Sequence, residues 1–451
     1  MSLSSTMYEL NSACDLGDGL ILRRATAADA EALAEFNAQV HRNPQTSDPD
    51  IYVGWWVRDL LLRPHPTFVP EDFVIIEERE TGRIVSSLNL ISQTWSYEGI
   101  PFGVGRPELV GTVPEYRRRG LVRIQFEVIH AWSAARGEMV QAITGIPYFY
   151  RQFGYDMAMT LGGARLGYPA AVPKLKAGES EPYRVRPAAA HDLPFIAALY
   201  EQASQRYPIV CPRDEAMWRY ELEGRSPLSC EQRELCIIED AAGDAVGYLM
   251  HGPRVWESSL GVGAYELKAG VSWLAVTPSV LRYLKQVGDA YVARDHLCDF
   301  ETIAFWLGAE HPAYQAAGER LPIVRRPYAW YLRVADVPRF LRHVAPVLER
   351  RLAGSILAGH TGELLLDFYR GGARLVFDRG RLVQVEPWQA SHERQGSAGF
   401  PGHTFLQMLF GHRTREELGY AFADCWVENE GVQLLLNILF PKRPSNVWPI
   451  S

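Results

Sequence analysis

The sequence repeats itself once at long range, and this constrains the fold more than any other feature. Residues 23–29 read R-R-A-T-A-A-D and residues 186–192 read R-P-A-A-A-H-D. Residues 75–85, I-I-E-E-R-E-T-G-R-I-V, return as I-I-E-D-A-A-G-D-A-V over 237–246. The offsets are 163 residues (Arg23 to Arg186) and 162 residues (Ile75 to Ile237), so a domain-sized unit is duplicated. In the first copy Leu20-Ile21-Leu22-Arg23 reads as a strand. A helix follows, with Asp29 near its start and Leu33 and Phe36 on its apolar side. Phe73–Glu78 and Arg83–Gln93 then form a hairpin pattern across E-R-E-T-G.

A chain of 451 residues is a prior for about three domains. Beyond the two copies, Leu364–Phe368, Arg374–Phe377 and Leu382–Val385 alternate with G-G and D-R-G turns. Helical patterns at Val337–Leu352, His403–Phe410 and Leu434–Leu439 accompany them, which suggests an α+β module. The expected organisation is an irregular leader over 1–19, a first copy over 20–180, a degenerate second copy over 181–334 and the third module over 335–451. The fold class is mixed α/β (α+β), with tandem mixed sheets and helices.

The first copy carries the stretch with chemistry, Glu108–Arg123, E-L-V-G-T-V-P-E-Y-R-R-R-G-L-V-R. Leu109–Val113 is an apolar, β-branched run and reads as a strand. Pro114 closes it, three arginines and Gly120 follow, and Leu121, Ile124, Val128 and Trp132 recur at helical spacing. A strand, then backbone N–H groups opening into a helix N-terminus, makes an anion site. Gly120 carries no Cβ to obstruct close approach of the main chain, and Arg117–Arg119 supply charge-assisted hydrogen bonds to phosphate. Met139–Thr144 is a further strand, followed by Y-F-Y-R-Q-F-G-Y at Tyr148–Tyr155. In the second copy the counterpart of the loop is Val276–Leu284, where Leu284 replaces Gly120. That copy is expected to shape the fold or the substrate cleft and not to bind cofactor.

Arg117-Arg118-Arg119-Gly120-Leu121-Val122 resembles the acetyl-CoA loop of the GCN5-related N-acetyltransferase (GNAT) superfamily, [Q/R]-x-x-G-x-[G/A], with Val122 in place of the last small residue. The aromatic run with Gly154-Tyr155 is similar to the superfamily's F-Y-x-x-x-G-[F/Y] at the matching distance. One active copy, one degenerate copy and a terminal α+β module together resemble the enhanced intracellular survival (Eis) family, whose third domain is similar to sterol carrier proteins. The resemblance implies acetyl-CoA as co-substrate and a primary amine as acceptor, on an aminoglycoside, polyamine or lysine side chain. It also implies a hexameric homo-oligomer. Val110, Gly111 and Thr112 would bind the pantetheine arm, Arg118–Arg123 would wrap the pyrophosphate, and Gly145-Ile146 would lie beside the thioester. Tyr150 would be the general acid, and the terminal main-chain carboxylate the base. The family commonly ends in an aromatic residue, whereas this chain ends Trp448-Pro449-Ile450-Ser451. Ser451 is the expected carboxylate donor and Glu108 its substitute. Trp55 and Trp56, in an aromatic-rich segment between proline-marked loops, are candidates to flank the acceptor cleft.

Net charge of −7 does not favour a nucleic-acid partner. Carboxylates lining the cleft would favour cationic acceptors. The six cysteines form no C-x-x-C pair, and no H-E-x-x-H occurs, so no metal is expected. The N-terminus has no basic and apolar signal pattern, and no stretch approaches about 20 apolar residues. The expectation is a cytoplasmic protein without a membrane partner. The alternative reading is a non-catalytic carrier or sensor that binds CoA or an apolar ligand. A third is transfer of a longer acyl group, for which Val122 and the pocket width matter.

Overall fold

The computed structural model describes residue 10 and residues 12–42, 47–296 and 299–451. The first sheet contains β1 (Cys14–Gly17), β2 (Leu20–Arg24), β3 (Phe73–Glu78), β4 (Ile84–Tyr97), β5 (Ile100–Thr112), β6 (Val140–Ile143) and β7 (Asp156–Leu161). Three helices attend it: α1 (Ala30–Val40), α2 (Ile51–Leu62) and α3 (Leu121–Ala135). The mixed α/β class expected from the sequence is the one observed.

Side chains alternate across a strand, so a strand buried on both faces must be apolar throughout. β3 obeys this. Phe73 and Ile75 pack with Leu33, Val57 and Leu60 of α1 and α2, while Val74 and Ile76 pack with Phe126, Ile129 and Trp132 of α3. The β4–β5 hairpin is long because its two halves serve different cores. Its far end, with Trp95, Tyr97 and Phe102, is buried against Phe340, Leu348 and Phe410 of the third region.

The two copies exchange strands. The first sheet runs β1-β2-β3-β4-β5-β6, then the strand Tyr328–Val334, then β7. Tyr331 pairs with Ile143 on one side and Met157 on the other. In return Ala164–Gly167 leaves the first copy and pairs with Thr302–Phe305 in a 7-stranded second sheet. A boundary near 180 and another near 334 therefore cut across both sheets. The 1–19 span is also not wholly irregular: β1 pairs antiparallel with β2, Cys14 opposite Leu22.

The second copy departs from the sequence reading at its loop. Val276–Leu284 is not a loop but lies inside the helix Trp273–Asp295, Pro278 included. Pro278 leaves the Leu274 carbonyl without its helical donor, and Leu274 is 71% exposed, so water can satisfy it. The turn that corresponds to the arginine loop is 268–272, between the strand Ser259–Leu267 and this helix, and it is shorter. The third region is a 5-stranded sheet that includes Gly362–Asp367, Gly372–Asp378 and Arg381–Pro387, with helices such as Ala345–Ala353 and Glu430–Leu439 packed against it. The expected meander and helices are present there.

Candidate active site

β5 and β6 start as neighbours and then part. They are in parallel register only at Val104–Val140 and Gly105–Gln141. Beyond these pairs the β5 edge from Arg106 onward faces a gap. A bulge helps to open it. Ser87 pairs with Gly111 and Asn89 with Glu108, so two steps on β4 answer three on β5, and Leu109 takes φ 53°. Gly111 is needed for another reason: a Cβ there would lie 2.6 Å from Val40 Cγ1 of α1.

The gap is a cleft of about 830 Å³, bounded by Glu108–Thr112, the arginine loop, the start of α3 and 143–153. At its mouth Gly120 has φ 79° and caps α3 without a side chain. The first amides of α3 therefore face the cleft uncapped, and nothing lies within 4 Å of where a Gly120 Cβ would be. This is an anion cradle built from main chain. Arg117 and Arg118 border it. Arg119 does not: it pairs with Asp18 at 3.2 Å and lies over the Tyr116 ring. Arg123 donates to Gln152 Oε1 at 3.3 Å and Val122 lines the wall. The Thr112 hydroxyl is shared with Ser86 Oγ at 2.8 Å, and Val110 lines the cleft.

At the opposite end stands Tyr150, 5% exposed, in a short turn of helix between Tyr148 (φ 68°) and Gly154 (φ 87°). Tyr331 of the exchanged strand holds this turn, accepting the Tyr148 N–H and packing edge-on to Tyr150 at 5.5 Å. Gly145, φ 121°, accepts from Tyr328 Oη at 2.9 Å, and a Cβ there would lie 3.5 Å from Tyr150 Oη. Ile146 is exposed. Burial first, and then the charge of Glu108, push the Tyr150 phenol well above its ordinary value.

Glu108 is also pushed up, by burial and by the like charge of Glu231, against the opposing pull of Arg106. Arg106 links it to the end of the chain: one nitrogen bonds Glu108, the other donates to Ser451 Oγ at 2.8 Å. Gln93 Nε2 donates to the Ile450 carbonyl at 2.7 Å. Arg225 aims Nε and Nη2 at the Ser451 main-chain oxygen, 3.3 and 3.2 Å, while its Nη1 bonds Glu221 at 2.9 Å. The chain end is thus buried between the first sheet and the second copy.

The aromatic segment does not act as expected. Trp56 is 7% exposed and belongs to the α1–α2 core, and Trp55 faces a separate groove. Another residue of α2, Tyr52, borders the second cavity near the site. This cavity, about 480 Å³, lies against Arg225, Glu231, Arg254, Trp256 and Trp448. Its lining includes Asp50, Glu221 and Glu231 but also Arg213, Arg225, Arg233 and Arg254, so it is not an acidic cleft. Arg106, Arg225, Glu231 and Arg254 were missed because each is an ordinary charged residue in sequence. The glutamate pattern around 221–231 offered no spacing to read. Among the described residues no group of three or more potential ligands is placed to hold a metal, and no helix is long and apolar enough to cross a membrane.

Residues 22–158, which carry this cleft, match the acetyltransferase (GNAT) domain family. Solved structures extend the likeness over nearly the whole chain. A conserved protein from Enterococcus faecalis V583, named a probable N-acyltransferase, has TM-score 0.65 and 12% identity over 96% of this chain and 99% of that one. A GCN5-related N-acetyltransferase from Anabaena variabilis gives 0.61 and 15%, over 95% and 99%. Eis1 from Mycobacterium abscessus gives 0.55 and 14%, over 95% and 99%. At these identities the likeness is one of fold, and it spans all three regions. No curated protein matches the chain in sequence.

Proposed function

We propose that the protein moves an acetyl group from acetyl-CoA to a primary amine. The observation that carries this is the parted β5–β6 edge, which leads from an uncapped α3 N-terminus with Arg117 and Arg118 to Tyr150 at the other end. The chemistry of the donors fits the ligand: the α3 amides and two guanidinium groups suit a pyrophosphate, and unpaired strand amides suit the amide-rich pantetheine arm. When bound, acetyl-CoA supplies a thioester as the electrophile. The whole-chain likeness to Eis1 supports an Eis-like layout, with a sterol-carrier-like third region and a hexameric assembly as parts of the same proposal.

The residues act on protons. Only about one lysine-type amine in a thousand is neutral near pH 7, so a base must take a proton from the nitrogen. We assign this to Glu108, whose burial raises its proton affinity. Ser451 is the weaker candidate, because Arg225 already engages its main-chain oxygen. Through Ser451 Oγ and Arg106 the tail instead orients Glu108. As the nitrogen–carbon bond forms and the carbon–sulfur bond breaks, Tyr150 gives its phenol proton to sulfur. An ammonium loses two protons on becoming an amide: one leaves to solvent when the free amine forms, and the other, taken by Glu108 as the nitrogen attacks, returns through solvent to the Tyr150 phenolate, which balances the cycle. Free main-chain N–H groups along β5 stabilise the developing negative charge.

The test is thiol release from acetyl-CoA with an amine panel, comparing wild type, Glu108→Gln and a chain lacking Ile450-Ser451. With Glu108 as base, Glu108→Gln loses turnover while the truncated chain retains part of it. Turnover surviving Glu108→Gln and vanishing on truncation would return the base to the chain end. Tight acetyl-CoA binding with no turnover on any amine would sink the transferase reading.

A further inference from the structure

The 480 Å³ cavity beside the tail has the size of a small-molecule site, and its lining is specific about what it would take. Its walls are aromatic. Trp256, Trp306 and Trp448 line it at 51%, 37% and 41% exposure, and Tyr52 meets Trp256 edge-to-face at 5.9 Å. Tryptophans this exposed and gathered round one concavity point to a flat apolar ligand.

The charges are more selective still. Arg225 is closed on Glu221 at 2.9 Å and on Ser451, and Arg213 on Glu221 at 3.5 Å and the Trp448 carbonyl at 2.8 Å. Arg233 pairs with Glu231 at 3.3 Å and with the Cys230 and Gln232 carbonyls. Arg254 differs. Its guanidinium carbon lies 3.9 Å from the Tyr52 ring centre, and among the described residues it donates one hydrogen bond, to the Pro227 carbonyl at 2.9 Å. It has no carboxylate partner among the described residues. Asp295, whose charge it feels, is already held bidentate by Arg294 at 2.6 and 2.7 Å. A stacked, pre-oriented guanidinium with unused N–H groups is a carboxylate receptor. The lining carboxylates are Asp50, which caps α2, Glu221, held by Arg225 and Arg213, and Glu231, which pairs with Arg233 and acts on Glu108 through its charge.

Resting on the transferase reading above, we propose that the acceptor is a zwitterionic amine. Its aromatic body lies between Tyr52 and the tryptophans, its carboxylate is held by Arg254, and its amine faces Glu231 and Glu108. Polycations such as aminoglycosides and polyamines fit this cavity poorly, since they would meet Arg254 unscreened. An amino acid with an aromatic side chain has the required pieces.

The experiment compares amines that differ only in the carboxylate: phenylalanine against phenethylamine, and tryptophan against tryptamine, with spermidine as a third arm. Full-length wild type, Arg254→Met and Arg254→Lys are assayed by thiol release. Binding of 3-phenylpropionate, a carboxylate without an amine, is followed by calorimetry. One charge-assisted pair is worth about a tenfold preference or more. The expected result is a kcat/KM for phenylalanine at least about tenfold above phenethylamine. That ratio should collapse toward one in Arg254→Met through KM and recover in part in Arg254→Lys. 3-Phenylpropionate should bind wild type and weaken by a similar factor in Arg254→Met. Preference for the decarboxylated amines or for spermidine, or a ratio indifferent to Arg254, overturns the proposal. Binding of 3-phenylpropionate that depends on Arg254, with no turnover of either amine, supports the carboxylate site and overturns the transferase reading instead.

Discussion

In the proposed transfer, Tyr150 and Glu108 both depend on the same burial, one as acid and the other as base. Burial keeps the proton on the phenol, so Tyr150 remains an acid at every pH at which the protein works. Replacing it with phenylalanine removes the proton donor and little volume. The expected outcome is a fall in kcat of about 10²-fold or more with acetyl-CoA affinity kept, checked by steady-state kinetics beside calorimetry. In Glu108 burial raises the carboxyl above its ordinary 4.5. The active form is the ionised one, so kcat/KM should rise with pH through a midpoint above 4.5 and fall as pH drops below it. Glu108→Gln should erase that acidic limb, which a pH–rate profile reads directly. Loss of rate with the limb intact would assign the limb to another group.

At the scale of elements, the proposed cofactor recognition falls on the turn from β5 into α3. Gly120 at φ 79° sits where a branched residue is strained by about 1–2 kcal/mol. Gly120→Val should therefore lower stability by that amount and raise the KM for acetyl-CoA by about tenfold or more, since the strained turn re-aims the α3 amides. Thermal melting and acetyl-CoA titration separate the two effects. This element was legible in sequence because all its determinants are local: a β-branched run, Pro114, a glycine and a helical stripe lie within Leu109–Trp132. The second copy was misread for the converse reason. Val276-Thr277-Pro278 imitates Val113-Pro114, and a proline suggests a loop, yet neighbouring packing of Val276, Val280 and Leu284 holds a helix through it. The cavity proposed for the acceptor was not legible at all. Tyr52, Arg254, Trp306 and Trp448 are brought together only by tertiary structure, and nothing in their own segments assigns them to one cavity. The pairing of Trp55 with Trp56 drew attention by composition, whereas Trp56 packs into the α1–α2 core and Tyr52, one turn earlier, borders the cavity.

For the molecule as a whole, the exchanged strands and the buried tail make the regions interdependent. Removing Arg225 strands Glu221, 4% exposed, inside the junction. Breaking a buried pair costs about 3–5 kcal/mol. Because Arg213 stays at 3.5 Å from Glu221, Arg225→Met should lie near the lower end, about 3 kcal/mol, measured by urea unfolding. The exchange also predicts the behaviour of fragments. A chain cut to residues 20–180 lacks Tyr328–Val334, so β6 and β7 have no strand to join them and Tyr148 loses its anchor. Such a fragment should bind no acetyl-CoA and show an incomplete thermal transition, although it contains every residue of the arginine loop. A cooperative melt with native affinity would refute the dependence.

That exchange also sets a timetable. Tyr331 joins Ile143, 188 positions earlier (331 − 143), and elongation at about 5–20 residues per second leaves roughly 10–40 s between the two. For that interval the nascent sheet has a missing rung flanked by two apolar edges, open to any neighbouring chain on the same message. Slower translation through the 164–327 stretch would lengthen the vulnerable window, whereas holdase cover over β6 and β7 until residue 334 emerges would close it.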